Sequence, residues 1–233
     1  NEFEGKSDTE VLINLYEKYG LNMINELEGM FSFIIYNFKK KKITAVRDRF
    51  GIKPLYYYKC NDYIFFSSEI KPIIKYNGEK KFNDIAFANF FFKQQLDNDK
   101  VTFFKNIYSL KPSSYLIADY KKNLKIKSYW NLRDKIFKDK NLKISFKQLF
   151  DQSIKKHLIS DTEIGLLFSG GTDSTAIALG MLRQTGKFVK TFTYDFSNYN
   201  ENGESSTAKL FSKKLKIKNF RSIVTPKYVE SQF

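Results

Sequence analysis

Residues 169–174, Ser-Gly-Gly-Thr-Asp-Ser, bring together the residue types that can hold a pyrophosphate. They stand between an apolar run, 164–168, and a helix-forming stretch, 175–183. A strand ending in Ser-Gly-Gly turns sharply without Cβ clashes and leaves backbone N–H groups and a helix N-terminus facing one anion. Ser169 and Ser174 add hydroxyl donors. A carboxylate in such a cradle is out of place unless it holds Mg²⁺ against the phosphates, and that is the role suggested for Asp173.

Any strand-to-helix turn would use Ser, Gly, Thr and Asp for turning and capping, so the loop alone is ambiguous. Its surroundings favour the cradle. A second strand, 188–196, completes a βαβ unit whose loop lies at the C-terminal end of its strand, where open parallel sheets bind nucleotides. A Walker A loop is excluded, because Gly171 stands where that motif needs lysine.

The hexapeptide is similar to the SGGxDS loop of the PP-loop ATP pyrophosphatases, which cleave ATP between its α and β phosphates. In collinear order, LEGMFSFIIYN (27–37), RDRFGIKPLYY (47–57), FSSEIK (66–71), YWNL (129–132) and SDTEIGLLFSGGTDS (160–174) resemble landmarks of the glutamine-hydrolysing asparagine synthetases. The resemblance implies an α+β glutaminase part, antiparallel sheets with helices, over 1–132. It further implies a linker at 133–143 and an α/β doubly wound parallel sheet of PP-loop type from 144 to 233. The implied reaction is glutamine-dependent, ATP-consuming amidation of aspartate through a β-aspartyl-adenylate. The resemblance implies glutamine, aspartate and ATP as small-molecule substrates with Mg²⁺, and it admits a homodimer.

Carried over residue by residue, the resemblance puts Leu167 and Tyr194 against the adenosine moiety. Ser169, Gly170, Gly171, Asp173 and Ser174 fall on the pyrophosphate, with Asp173 on Mg²⁺. Asp8 of SDTE matches the carboxylate that holds the α-ammonium of glutamine; a first-turn Asp favouring the helix dipole explains it as well. Arg47, Asp48 and Arg49 are expected to form an internal ion pair beside a tight turn. The chain also departs from the family. Tyr194 and Asp195 are larger and more polar than the small apolar residue and glycine usual at that strand end, and Ser113-Ser114 stands where Pro-Gly is usual. The family's N-terminal cysteine nucleophile is not residue one, which is Asn1, and Cys60 between two β runs cannot replace it. The expectation is a fragment lacking both ends, in which no catalytic set is complete. These departures leave room for a relative acting on another carboxylate, and two rivals stay open: a PP-loop enzyme modifying tRNA and a non-catalytic assembly module.

The elements that must position these residues follow from periodicity. Ser7-Asp8-Thr9-Glu10 reads as a capping box opening a helix that stops at Gly20, with Val11, Leu12, Leu15, Tyr16 and Tyr19 on its buried face. Alternation predicts hairpins around Lys39–Lys42 and around residues 60–62, a helix near 83–95 and a last strand pair at 114–130. Phe146, Leu149, Phe150, Ile154 and Leu158 predict an amphipathic helix before the first parallel strand. A helix over 204–215 and a strand over 220–224 continue the alternation.

Composition narrows the class. The 233 residues carry a formal charge of +15 and are 42% hydrophobic, which fits a globular chain with room for two modest cores. Arg stands only at 47, 49, 133, 183 and 221, leaving 35 of the 40 basic residues as Lys, whereas nucleic-acid readers favour Arg. No nucleic-acid partner is therefore favoured. A single cysteine, no apolar run of membrane-spanning length and no signal-like start point to the cytoplasm, with no membrane partner.

Overall fold

The computed structural model describes residues 5, 7–60, 63–78, 80–94, 100–119, 123–134, 145–196 and 204–231. The chain divides into two compact units, Asn1–Asp139 and Lys140–Phe233. Most of the expected linker, 135–143, lies outside the described residues.

The first unit is α+β with antiparallel sheets. Strands β1 (Ser32–Asn37), β2 (Lys42–Arg47), β6 (Ser114–Asp119) and β7 (Leu124–Ser128) form a sheet in the order β1-β2-β6-β7. Strands β3 (Tyr56–Lys59), β4 (Ile64–Ser67) and β5 (Ile107–Ser109) form a second, ordered β4-β3-β5. Ala45, Leu116 and Ala118 of the first sheet share a core with Tyr57 of the second and with Leu55 and Leu110, which flank its strands β3 and β5. The lysine run 39–42 is the exposed turn joining β1 to β2, as alternation predicts.

The Asp8–Tyr19 helix ends at Gly20 as expected, but its start differs from a capping box. Ser7 Oγ accepts from Thr9 N at 3.2 Å, and Glu10 Oε2 reaches past Ser7 to accept from Gly5 N at 2.8 Å. Leu12, Leu15 and Tyr16 pack on the cluster of Met23, Ile24 and Val46. Val11 and Tyr19, expected on the same face, are exposed. Val11 lies one residue round the helix from Leu12, and Tyr19 sits in the last turn beside Lys18.

The Arg47-Asp48-Arg49 segment corrects the expected ion pair. Asp48 is fully buried, and its carboxylate accepts three backbone amides: Phe50 N at 3.1 Å and Ile52 N at 3.0 Å on Oδ1, and Lys53 N at 2.9 Å on Oδ2. Arg47 donates to carbonyls, to Lys53 O at 2.9 Å, Leu110 O at 2.6 Å and Gly51 O at 2.8 Å, and to Ser109 Oγ at 2.8 Å. Arg49 donates to Leu27 O at 2.6 Å. Three backbone N–H groups satisfy this buried carboxylate without a guanidinium, and both arginines donate to main-chain carbonyls. The turn closes on Gly51, φ +64, where an added Cβ would lie 2.7 Å from Pro112 Cγ. Ser113, of the Ser113-Ser114 pair, holds φ 53.

The second unit carries a three-stranded parallel sheet in the order β10-β9-β8, with β8 Gly165–Leu167, β9 Lys190–Asp195 and β10 Asn219–Ile223. Helices Thr172–Thr185 and Glu204–Leu215 supply the crossovers. Ala178 and Ala208 from these helices meet Phe168 and Ile217 in one core. The Phe146–His157 helix packs on Thr172–Thr185 where Gly180 admits Phe150 and Ile154, and Arg183 pairs with Asp151 at 2.6 Å. Phe146 and Leu149, expected in the buried face of that helix, are exposed. Along β9, Thr191, Thr193 and Asp195 are buried while Phe192 and Tyr194 are exposed. Among the described residues, helices thus cover one face of this sheet, and the second layer of a doubly wound fold is not among them.

Two outcomes follow for the first unit. Asp48→Asn turns a donor toward Lys53 N–H, so equilibrium denaturation should show a loss of about 2–3 kcal/mol. Tyr129 donates to Arg47 O at 2.8 Å, and burial pushes its phenol up to about 12. The unfolded phenol ionises near 10, so this stabilisation is complete below about pH 10 and is lost as pH rises toward 12. Thermal melts should fall in that window, and Tyr129→Phe should make the fall shallower.

Candidate nucleotide site

The alternating face of β9 and the strand-to-helix turn after β8 build the candidate site. Phe168 prolongs β8 by donating its N–H to Phe192 O at 2.8 Å, and its ring is buried in the second unit's core. Thr193 Oγ1 donates to Phe168 O at 2.5 Å, which fixes the point where the chain leaves the sheet.

Gly170 makes the turn at φ +76 and is buried against the Glu204–Leu215 helix. A Cβ there would stand 2.6 Å from Ala208 N and 2.7 Å from the carbonyl carbon of Thr207. Only glycine satisfies both the backbone angle and this approach of two main chains. Gly171 then caps the Thr172–Thr185 helix without a side-chain hydrogen bond.

The serines lock the loop. Ser174 Oγ donates to Gly171 O at 3.2 Å, and Ser169 Oγ accepts from Gly171 N at 3.3 Å. The two hydroxyls lie 3.1 Å apart, so the remaining O–H of Ser169 faces Ser174 or a ligand. The first helical hydrogen bond runs from Thr175 N to Gly171 O at 3.0 Å. Among the described residues, none accepts from the amides of Thr172, Asp173 or Ser174. These N–H groups and the positive end of the helix dipole favour an anion at the same place. Asp173 is exposed in this first turn.

Leu167 and Tyr194 lie on the open face of the sheet, 68% and 59% exposed. Leu167 is in register with Phe192, and Tyr194 follows two residues later on the same side, so both line the C-terminal end of adjacent strands. Asp8 lies in the other unit, exposed in the first turn of its helix. His157 is exposed and its Nδ1 lies 2.8 Å from Ser153 O, a helix-end contact. Cys60 packs beside the cluster of Tyr58, Ile73 and Ile107.

Periodicity missed one group at this edge. Asp195 is 0% exposed, accepts from Ser205 Oγ at 2.7 Å and is ion-paired with Arg221. The signal in the sequence was a carboxylate on the buried phase of a strand; its partners are 10 and 26 residues away, beyond any local pattern.

Residues 1–130 match the family model of a glutamine amidotransferase domain, and residues 145–233 match that of asparagine synthase. Glutamine-hydrolyzing asparagine synthetase 2 of Bacillus subtilis is 35% identical over 194 residues, 76% of this chain and 25% of that protein. Asparagine synthetase 3 of the same organism is 31% identical over 218 residues, 91% of this chain and 35% of that protein. Amidase chry2 of Gibberella zeae is 30% identical over 182 residues, 76% of this chain and 26% of that protein. The chain thus spans between a quarter and about a third of the length of these relatives.

The loop geometry gives a direct outcome. Gly170→Ala adds about 1–2 kcal/mol of backbone strain and a contact with main-chain atoms that cannot rotate away. A drop of about 3 kcal/mol or more in unfolding free energy is expected. Gly186→Ala, also at positive φ but with nothing within 4 Å, should cost only the backbone strain.

Proposed function

Because the chain belongs to the glutamine amidotransferase family, in the form joined to an asparagine synthase domain, we propose that it is part of a glutamine-dependent ligase converting aspartate to asparagine with ATP. The observation that carries the reading is the turn at 169–174: amides of Thr172–Ser174 with no acceptor among the described residues, a backbone path that admits only glycine at 170, and an exposed Asp173 in the first turn of the helix. In this reading residues 1–132 hold glutamine, with Asp8 binding its α-ammonium. Residues 133–143 are a linker, and residues 144–233 begin a PP-loop sheet of the doubly wound kind.

In the reaction, an oxygen of the aspartate side-chain carboxylate attacks the α-phosphorus of ATP, and the bond to the β-phosphate oxygen breaks. Pyrophosphate leaves and a β-aspartyl-adenylate remains. Ammonia released from glutamine then attacks the acyl carbon and expels AMP. The chain's own part is electrostatic. Negative charge grows on the departing pyrophosphate, and the amides of Thr172, Asp173 and Ser174 already point to one place, so little reorganisation is needed as the bond breaks. Ser169 has one O–H to turn from Ser174 to a phosphate oxygen. The donor set suits Mg²⁺ as well: Asp173, an exposed carboxylate in the same first turn as these amides, is the residue that would hold a hard cation. Mg²⁺ would add charge neutralisation of the leaving group. Leu167 and Tyr194 would form the wall for the adenosine.

One observation favours a second acceptor. Tyr194 puts a phenol at a strand end where the family has a small residue, and an amidase is among the relatives. An acid other than aspartate is the alternative, and a panel of carboxylic acids in the exchange assay separates the two. A tRNA-modifying enzyme would leave the match of residues 1–130 without a purpose.

Asp173→Asn in the full-length protein should lower ATP–pyrophosphate exchange by a factor of about 100 or more while glutamine hydrolysis stays near wild type. Unchanged exchange would refute the assignment.

A further inference from the structure

The mechanism above makes no use of Asp195, although it is a fully buried carboxylate at the C-terminal end of β9. Oδ1 accepts from Ser205 Oγ at 2.7 Å, and Oδ2 is ion-paired with Arg221 of β10. Its carbonyl accepts from Val224 N at 2.9 Å. One residue therefore ties together the ends of two strands and the first turn of the Glu204–Leu215 helix. That same helix offers the Thr207–Ala208 main chain against which Gly170 is pressed. Ser205 is two residues from Thr207, less than one helical turn.

We infer that Asp195 is a positioning residue for the pyrophosphate loop, acting through Ser205 on the helix that forms the wall behind Gly170. The inference rests on the reading of 169–174 as a phosphate cradle. A glycine at position 195, usual in the family, would leave Ser205 and Arg221 without this anchor. The chain then fixes the wall by charge and hydrogen bonding, where a glycine would leave the work to main-chain packing. Asp195 contacts Ser205, Arg221 and Val224 on the buried side of the sheet, so it acts on geometry and not on substrate. The chemistry also defines what replaces it. An amide at 195 keeps one acceptor for Ser205 but faces Arg221 with no charge to offset the guanidinium. Neutralising both partners, Asp195→Asn with Arg221→Gln, removes that mismatch.

The test uses this chain, with magnesium pyrophosphate as the probe, titrated calorimetrically into wild type, Asp195→Asn, Ser205→Ala and the Asp195→Asn/Arg221→Gln pair. Amide NMR spectra report Gly170 and Gly171. For Asp195→Asn the expected result is a loss of affinity of about tenfold, the size that changes along a packed network produce. Displaced Gly170 and Gly171 signals should accompany an unchanged far-ultraviolet circular dichroism spectrum. Ser205→Ala should move the same two signals, and the double variant should recover most of the affinity. Binding by Asp195→Asn equal to wild type, with Gly170 and Gly171 unmoved, would overturn the inference. Should wild type itself fail to bind pyrophosphate, the cradle reading falls. The NMR arm still decides whether Asp195 sets the loop's geometry, because displaced signals support positioning and unmoved ones reject it.

Discussion

Two main chains pass within van der Waals contact where Gly170 meets Thr207 and Ala208, and the second unit is arranged around that approach. Nothing larger than hydrogen fits between them. The contact brings the start of one crossover helix beside the middle of the other, and so lets Phe168, Ala178, Ala208 and Ile217 close into one core. It also decides where the first-turn amides of the Thr172–Thr185 helix point. The packing of the unit and the direction of those amides thus depend on the same close approach.

The first unit solves a related problem with a side chain. The turn after β2 must bury amides that no strand pairs, and Asp48 collects three of them while Arg47 gathers the carbonyls. Most of the segment's hydrogen bonds run to main chain, with Ser109 Oγ and the Tyr129 phenol as side-chain partners of Arg47, which makes it a rigid bracket between the two sheets of the unit. Ser113 accepts φ 53, a left-handed backbone, at a cost of about 1 kcal/mol. Its N–H donates to Asp48 O at 2.8 Å, so the bracket holds the strained residue in place.

Period and punctuation revealed most of the elements. The Lys39–Lys42 turn, the β3-β4 hairpin, the helix capped by Asn83 and the strand-loop-helix at 165–185 all carry local signals strong enough to read. The Ile70–Asn77 helix did not, because Pro72 in its first turn and only eight residues of length hide its period. Strand β5 is three residues long and owes its conformation to β3. At the candidate site, the glycine loop was legible because glycine at positive φ has few other uses. The Asp195–Ser205–Arg221 group was not, because contacts between distant residues leave no periodic trace. The same reason explains the Arg47 contacts, which reach 62 and 63 residues along the chain.

The uncovered face of the parallel sheet has a consequence for handling the protein. Leu167, Phe192, Tyr194 and Phe220 stand in the open there, with Phe192 and Phe220 stacked at 5.3 Å, beside edge strands of three and five residues. An apolar patch next to strand edges that are unpaired among the described residues attracts other chains, and short edges only partly discourage it. The lysine-derived charge of +15 opposes such association by mutual repulsion. That repulsion is screened over about 8 Å at physiological ionic strength, so added salt weakens it and leaves the patch as the stronger influence.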